Sequence, residues 1–293
     1  MPTAPVQILI ACLEFGLLLG GAWLVYSLVS DRQRRERWLG PRPPPPWRVT
    51  LAEFAIFVLL IFGCGLLLQM VLLYLFGDRI AGATDATGLA ICLNGVGQDG
   101  GGLAGWLFFR SMQKTWHAPP PGDVFTPPPA PVALAPAPAP GWKRAAGLGG
   151  VTLLLALPVV TVVNLGWTAA LKQLGLPDEP QDLIGIFAET RSPLVVAGLL
   201  FVACFLAPVF EEVVFRAGLY RFCRQKLGRP WALVLSGGLF GAMHQNLASF
   251  LPLAVFGMIL ALAYEATGSL RVAIIAHGLF NLNTVFIVLA GMS

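Results

Sequence analysis

The chain has 293 residues, of which 56% are hydrophobic and only 12% charged, and its mean hydropathy is +0.74. A soluble domain of this length carries about a quarter charged residues, so an ordinary water-soluble enzyme is excluded, and the apolar content excludes a disordered chain. The net charge of +4, from 19 basic and 15 acidic residues, is too small an excess to indicate nucleic-acid binding.

A helix needs about 20 apolar residues to cross the hydrocarbon core. In chain order, the runs over 6–29 and 51–76 meet that length, and a Gly-rich run over 88–109 is weaker. Those over 147–171 and 193–220 are clear; 231–247 and 250–267 are divided only by a polar turn at Gln245-Asn246; 271–291 closes the series. The runs are long rather than alternating, so the expected fold is an all-α, polytopic bundle of eight spans and not a barrel. Leu9-Ile10-Ala11-Cys12 resembles a lipoprotein cleavage box, but no Lys or Arg precedes it and the run continues to Val29, so an uncleaved first span is expected. In the third run Gly97, Gly101 and Gly105 recur every four residues and read as a close-packing face. Asp99, with no evident partner, is assigned to that packing. Cysteines lie mostly within apolar runs and no CxxC occurs, so neither a disulfide framework nor a zinc knuckle is expected.

Basic residues give the orientation. Arg32, Arg34, Arg35, Arg37, Arg42, Arg48, Arg110, Lys114, Lys143, Arg144, Arg221, Arg224, Lys226, Arg229 and Arg271 share one side if eight spans start from an outside N-terminus. The other side receives Arg79, Lys172 and Arg191 among six acidic residues. The positive-inside rule makes the first side cytoplasmic, with both termini outside, and deleting or adding one span would scramble this asymmetry. Residues 117–141 hold proline at a density that forbids a helix and favours an extended connector. The expected organisation is therefore a three-helix module over 1–116, a linker over 117–141 and a core over 142–293.

Ionisable groups inside a span are costly and mark function or a paired contact. They gather in the C-terminal half. Glu211 and Glu212 are adjacent in the fifth span, and Arg216, one turn on, is placed to neutralise Glu212. Glu211 points about 100° away and has no local partner. His244 follows Phe240 by four residues, and His277 precedes Asn281 by four, on one helix face. Measured from the cytoplasmic ends, Glu211, His277, Asn281 and His244 fall at depths of roughly 14, 9, 15 and 20 Å. One free acid, two imidazoles and an amide at such depths suit amide hydrolysis. Glu211 with His244 can polarise a water, and His277 with Asn281 can donate to the oxyanion. Glu211, His244 and His277 are also a His₂Glu set suited to zinc, although HExxH is absent and the sequence does not require the metal. Glu14 and Glu265 receive no role.

Residues 206–218 (LAPVFEEVVFRAG), 240–244 (FGAMH) and 277–281 (HGLFN), with YEATGSL at 264–270, resemble the three motifs of the CPBP family, EExxxR, FxxxH and HxxxN. That family, also called Abi, comprises type II CAAX prenyl endopeptidases and bacteriocin-processing or self-immunity proteins. The resemblance covers roughly 147–291, with Ala217 standing where the family usually has Gly. It implies an intramembrane endopeptidase, glutamate- or metal-dependent, with Glu211 and His244 activating water, His277 and Asn281 as oxyanion donors, and Glu212 and Arg216 in support. It implies as partners the bilayer and a membrane-associated, CAAX-type peptide, and no nucleic acid. The expected location is the plasma membrane, with the site open to the cytoplasm. The alternative within the same fold is a non-catalytic immunity or binding protein.

Overall fold

The computed structural model describes residues 4–39, 47, 49–116, 140–179, 185–187 and 190–290. The PRPPPP loop at 41–46 and all but the last two residues of the expected linker lie outside them. The described elements are helices: α1 Ala4–Ser30, α2 Arg32–Leu39, α3 Leu51–Ala81, α4 Ala86–Gly95, α5 Gly101–Trp116, α6 Trp142–Leu174, α7 Pro193–Leu227, α8 Arg229–Met243, α9 Leu247–Thr267 and α10 Leu270–Leu289.

Their limits follow from local chemistry. Thr50 opens α3 with a reciprocal capping box: its hydroxyl accepts from Glu53 N at 3.2 Å, while Glu53 Oε2 accepts from Thr50 N at 2.7 Å. Gly228, at φ 83°, makes the sharp break between α7 and α8, a conformation that a side chain would strain. Asn246 caps α9 by accepting from Ser249 N at 2.8 Å.

Six helices, α1, α3, α6, α7, α9 and α10, are long and apolar enough to cross a membrane. The exposed Leu9, Leu13, Phe15, Leu19 and Trp23 of α1 would be an implausible surface in water. This is an integral membrane protein. Two of the eight expected runs fall short of that measure among the described residues. The run over 88–109 is divided by a wide turn at Val96–Gly100 into α4 and α5. The run over 231–247 stops at Met243, giving a helix of 15 residues, about 22 Å long against a hydrocarbon core of about 30 Å.

Contacts sort the chain into two ends. At one, Arg224 and Arg229 on either side of the α7–α8 break hold Glu265 of α9 at 3.0 and 2.7 Å, and Arg271 lies over Trp142. At the other, Asp85 accepts from Ser192 N at 2.9 Å, Asn246 donates to Glu179 O, and Gln7 donates to Ala290 O. Glu14, in α1, accepts from Asn283 of α10 at 3.3 Å. Both glutamates without an assigned role are thus interhelical ties.

One apolar core joins the two halves of the chain. Phe57 and Ile61 of α3 and Phe109 of α5 pack with Phe210, Val213 and Phe215 of α7 and with Phe240 and Phe256. The glycine face works as its spacing implies. Gly97 lies on Gln69, Gly101 on Cys64 and Gly65, and Gly105 on Leu60 and Ile61, backbone to backbone. A Cβ at Gly101 would sit 2.5 Å from the Cys64 carbonyl oxygen, which belongs to a helix and cannot swing aside. Gly101→Ala is therefore expected to cost about 1–3 kcal/mol by overpacking, read as a lower thermal unfolding midpoint in detergent, whereas Gly100→Ala, which meets open space, leaves the midpoint within about 0.5 kcal/mol of wild type.

Candidate active site

Helix α7 carries both glutamates, and it is not a regular helix. Wide, π-type turns occupy Val202–Leu206 and Val213–Tyr220, on either side of Glu211-Glu212. Such turns leave backbone groups without their ordinary partners. At the first, Ala207 N reaches back to Val202 O, and Pro208 has no N–H to offer. The Ala203 carbonyl is left without a helical donor, and Asn281 Nδ2 of α10 supplies one at 2.7 Å. At the second, Ser236 of α8 donates its hydroxyl to Phe215 O at 3.3 Å. Gly278 allows α10 to approach, since a Cβ there would stand 2.5 Å from Cys204 O.

That approach brings His277 onto the carboxylates. Glu212 Oε1 accepts from His277 Nδ1 at 2.9 Å and from Arg216 Nη1 at 2.8 Å. Glu212 and Arg216 have side chains with no solvent exposure, and His277 has 3%. Arg216 extends its other terminal nitrogen to Gly257 O at 2.9 Å, and its guanidinium carbon lies 4.5 Å from the centroid of the Phe240 ring. Phe240 also packs edge-on against His244 and His277, with centroid separations of 5.2 and 5.6 Å.

Glu211 stands apart from this bonded group. Its Oε2 is buried with no hydrogen-bond partner among the described residues, and lies 3.7 Å from His277 Nε2. That gap is too long for a direct hydrogen bond and is one that a bridging oxygen can fill. The two imidazoles have definite proton positions. A carbonyl or a carboxylate can only accept, so His244 Nδ1, 2.8 Å from Phe240 O, and His277 Nδ1 both carry hydrogen.

The structure therefore gathers Glu211, Glu212, Arg216 and His277 directly, and brings in His244 through Phe240. The expected Glu212–Arg216 pair is present, but Glu212 holds His277 as well, a bond between distant helices that local spacing does not show. Asn281 commits one N–H of its amide to the Ala203 backbone. The structural part of Phe240, as a ring platform for one cation and two imidazoles, was not apparent from its spacing to His244. Its only signal was an aromatic residue one helical turn before a membrane histidine.

A His₂Glu zinc set does not assemble here. Among the described residues no three His, Cys, Asp or Glu side chains converge as metal ligands. No step below runs through a metal.

The family model described as type II CAAX prenyl endopeptidase Rce1-like matches residues 193–283. This segment, from the start of α7 into α10, is an Rce1-like CAAX-protease family domain and contains every site residue named above. No curated protein and no solved structure matches the chain.

Because Glu212 and Arg216 are fully buried, removing one partner strands the other's charge. Arg216→Leu is expected to destabilise the protein by about 3–5 kcal/mol, measured by thermal unfolding in detergent. Combining it with Glu212→Leu should recover part of that loss, since an apolar pair leaves no stranded charge.

Proposed function

We propose that the protein is an intramembrane endopeptidase that hydrolyses a peptide bond of a membrane-associated substrate, with Glu211 as the base that activates water. The observation that carries this reading is the unbonded Glu211 oxygen facing a histidine whose opposite nitrogen is clamped by a buried carboxylate. An acid, an imidazole and a third group that orients the imidazole form the arrangement general acid–base catalysis requires.

A water placed between Glu211 and His277 gives its proton to Glu211 while its oxygen attacks the scissile carbonyl. The carbonyl π electrons move onto oxygen, and the oxyanion accepts hydrogen bonds. His277 donates to the oxyanion from Nε2 when that nitrogen carries a proton. The remaining N–H of the Asn281 amide is a second donor. Collapse of the intermediate breaks the C–N bond, and the proton held by Glu211 passes to the departing nitrogen, giving an acid and an amine. His244, held through Nδ1 by Phe240 O, assists in positioning the water.

The substrate we favour is prenylated. An apolar cavity of about 430 Å³ lies between α3, α7 and α8, lined by Phe54, Phe57, Phe62, Phe215, Leu219 and Met243 among others. That volume lies within the range of ligand pockets. Phe215 and Met243 adjoin Arg216 and His244 in sequence, so a lipid chain in the cavity would tether a peptide near the site. We further propose that α4–α5 and α8 complete eight crossings, that the core over 142–293 carries the chemistry, and that the site opens to the cytoplasmic face of the plasma membrane.

The test is cleavage of a farnesylated CAAX-type peptide, and of its unprenylated counterpart, by purified protein in liposomes. Glu211→Gln is expected to lower kcat by about 10²–10⁴-fold, and the farnesylated peptide to be cleaved at lower concentration. Equal rates for wild type and Glu211→Gln would overturn the assignment. Retention of binding without any cleavage would favour the non-catalytic alternative.

A further inference from the structure

Asp99 stands in the wide turn Val96–Gly100 between α4 and α5, outside the family segment, and is 8% exposed. Among the described residues it has neither a hydrogen bond nor an ion pair. Its direction is fixed by its neighbours. Gly88 lies against Val195, Gly95 against Val202 and Gly102 against Phe210, so α4–α5 runs alongside α7 in the same direction. Asp99 is four residues after Gly95 and three before Gly102, on the same face. It therefore points at α7 between Val202 and Phe210. The turn packs against Ala207–Glu212, the stretch of α7 that carries Glu211, and there the two carboxylates act on each other. Gly97, which would place a Cβ 2.6 Å from Gln69 Cα, and Gly101 lock the opposite face of the turn against α3, so the turn itself cannot rotate to carry Asp99 to another face.

A buried carboxylate turned towards another, with no counter-charge of its own, weakens the fold. Packing gives no reason for it, because a neutral side chain of the same shape would pack as well. We infer that Asp99 is a positioning residue of the candidate active site, acting through Glu211. Its repulsion turns the Glu211 carboxylate away from α5 and towards His277 Nε2, the side on which the water must stand. The catalytic consequence rests on the endopeptidase reading; the contact itself does not.

The experiment uses the full chain in detergent. Asp99→Asn is expected to raise the thermal midpoint by about 2–4 °C, and to have no such effect once Glu211→Gln is present, because the repulsion has already gone. A loss of stability of equal size in both backgrounds would make Asp99 merely structural and overturn the inference. The chain has only three histidines, so the imidazole ¹⁵N spectrum is readily assigned. Asp99→Asn should move the His277 Nε2 resonance and leave it unmoved in the Glu211→Gln background; an unmoved resonance in both also overturns it. With farnesylated CAAX-type peptide as probe, Asp99→Asn should lower kcat about 10- to 100-fold at unchanged KM, and Asp99→Glu should recover part of the loss. An unchanged kcat in a wild type that cleaves refutes the positioning role. A wild type that cleaves nothing counts against the endopeptidase reading, and the midpoints and spectra still decide the Asp99–Glu211 relation.

Discussion

One carboxylate oxygen, Glu212 Oε1, organises the site. It is fully buried and is shared between a guanidinium on its own helix and an imidazole three helices later in the chain. A carboxylate in such a place is tolerable only when matched by charge and hydrogen bonds. Arg216 meets part of that need from one turn away, and the remainder is a demand that α10 be docked with His277 inward. Arg216 is matched in turn by Gly257 O and the face of Phe240, which recruits α8 and α9. Four helices thus converge because one charge must be satisfied.

The adjacent glutamates have different fates because of the helix that bears them. In a regular α-helix consecutive side chains diverge by about 100°, so the two acids meet His277 on different nitrogens, Glu212 at Nδ1 and Glu211 opposite Nε2. Glu212 takes the bonded interior position and Glu211 is left at its edge, and the Oε2 of each has no hydrogen-bond partner among the described residues. The irregular backbone around them serves the same end. The wide turn and Pro208 free the Ala203 carbonyl, and only an amide brought in from α10 answers it. Asn281 and His277, one turn apart, therefore fasten α10 to α7 at two points, with Gly278 between them allowing the backbones to touch.

How much of this the sequence discloses depends on the range of each interaction. Helices declare themselves by length and apolarity, and the Glu212–Arg216 pair by its spacing of four. The rarity of polar groups in lipid singles out Glu211, His244, His277 and Asn281 without any structure. What stays hidden is whatever rotation about α7 decides. Choosing Glu212 rather than Glu211 as the acceptor of His277 Nδ1 depends on the phase set by the wide turns, and no residue pattern announces a wide turn. Asn281's partner is a backbone oxygen, invisible until the hydrogen-bond ledger around Pro208 is followed. The short α8 is hidden for a similar reason: Gln245 adopts a φ of 51°, a local turn that hydropathy does not register.

The wide turns also explain why the N-terminal helices cannot be regarded as an ornament on the matched domain. A helix that departs from regular bonding at two places is weakened there, and both places are braced by residues from before the proline-rich segment. Gly95 of α4 admits Val202 at the first, and Phe57 of α3 occupies the space over Gly218 at the second. Between them Gly102 of α5 receives Phe210, the residue immediately before the two glutamates. Each contact is a glycine meeting a side chain with no room for a Cβ, so the fit fixes both the depth and the rotation of α7. The matched segment carries the candidate site, and the preceding helices hold α7 in the phase where Glu212 bonds His277 Nδ1 and Glu211 faces its Nε2.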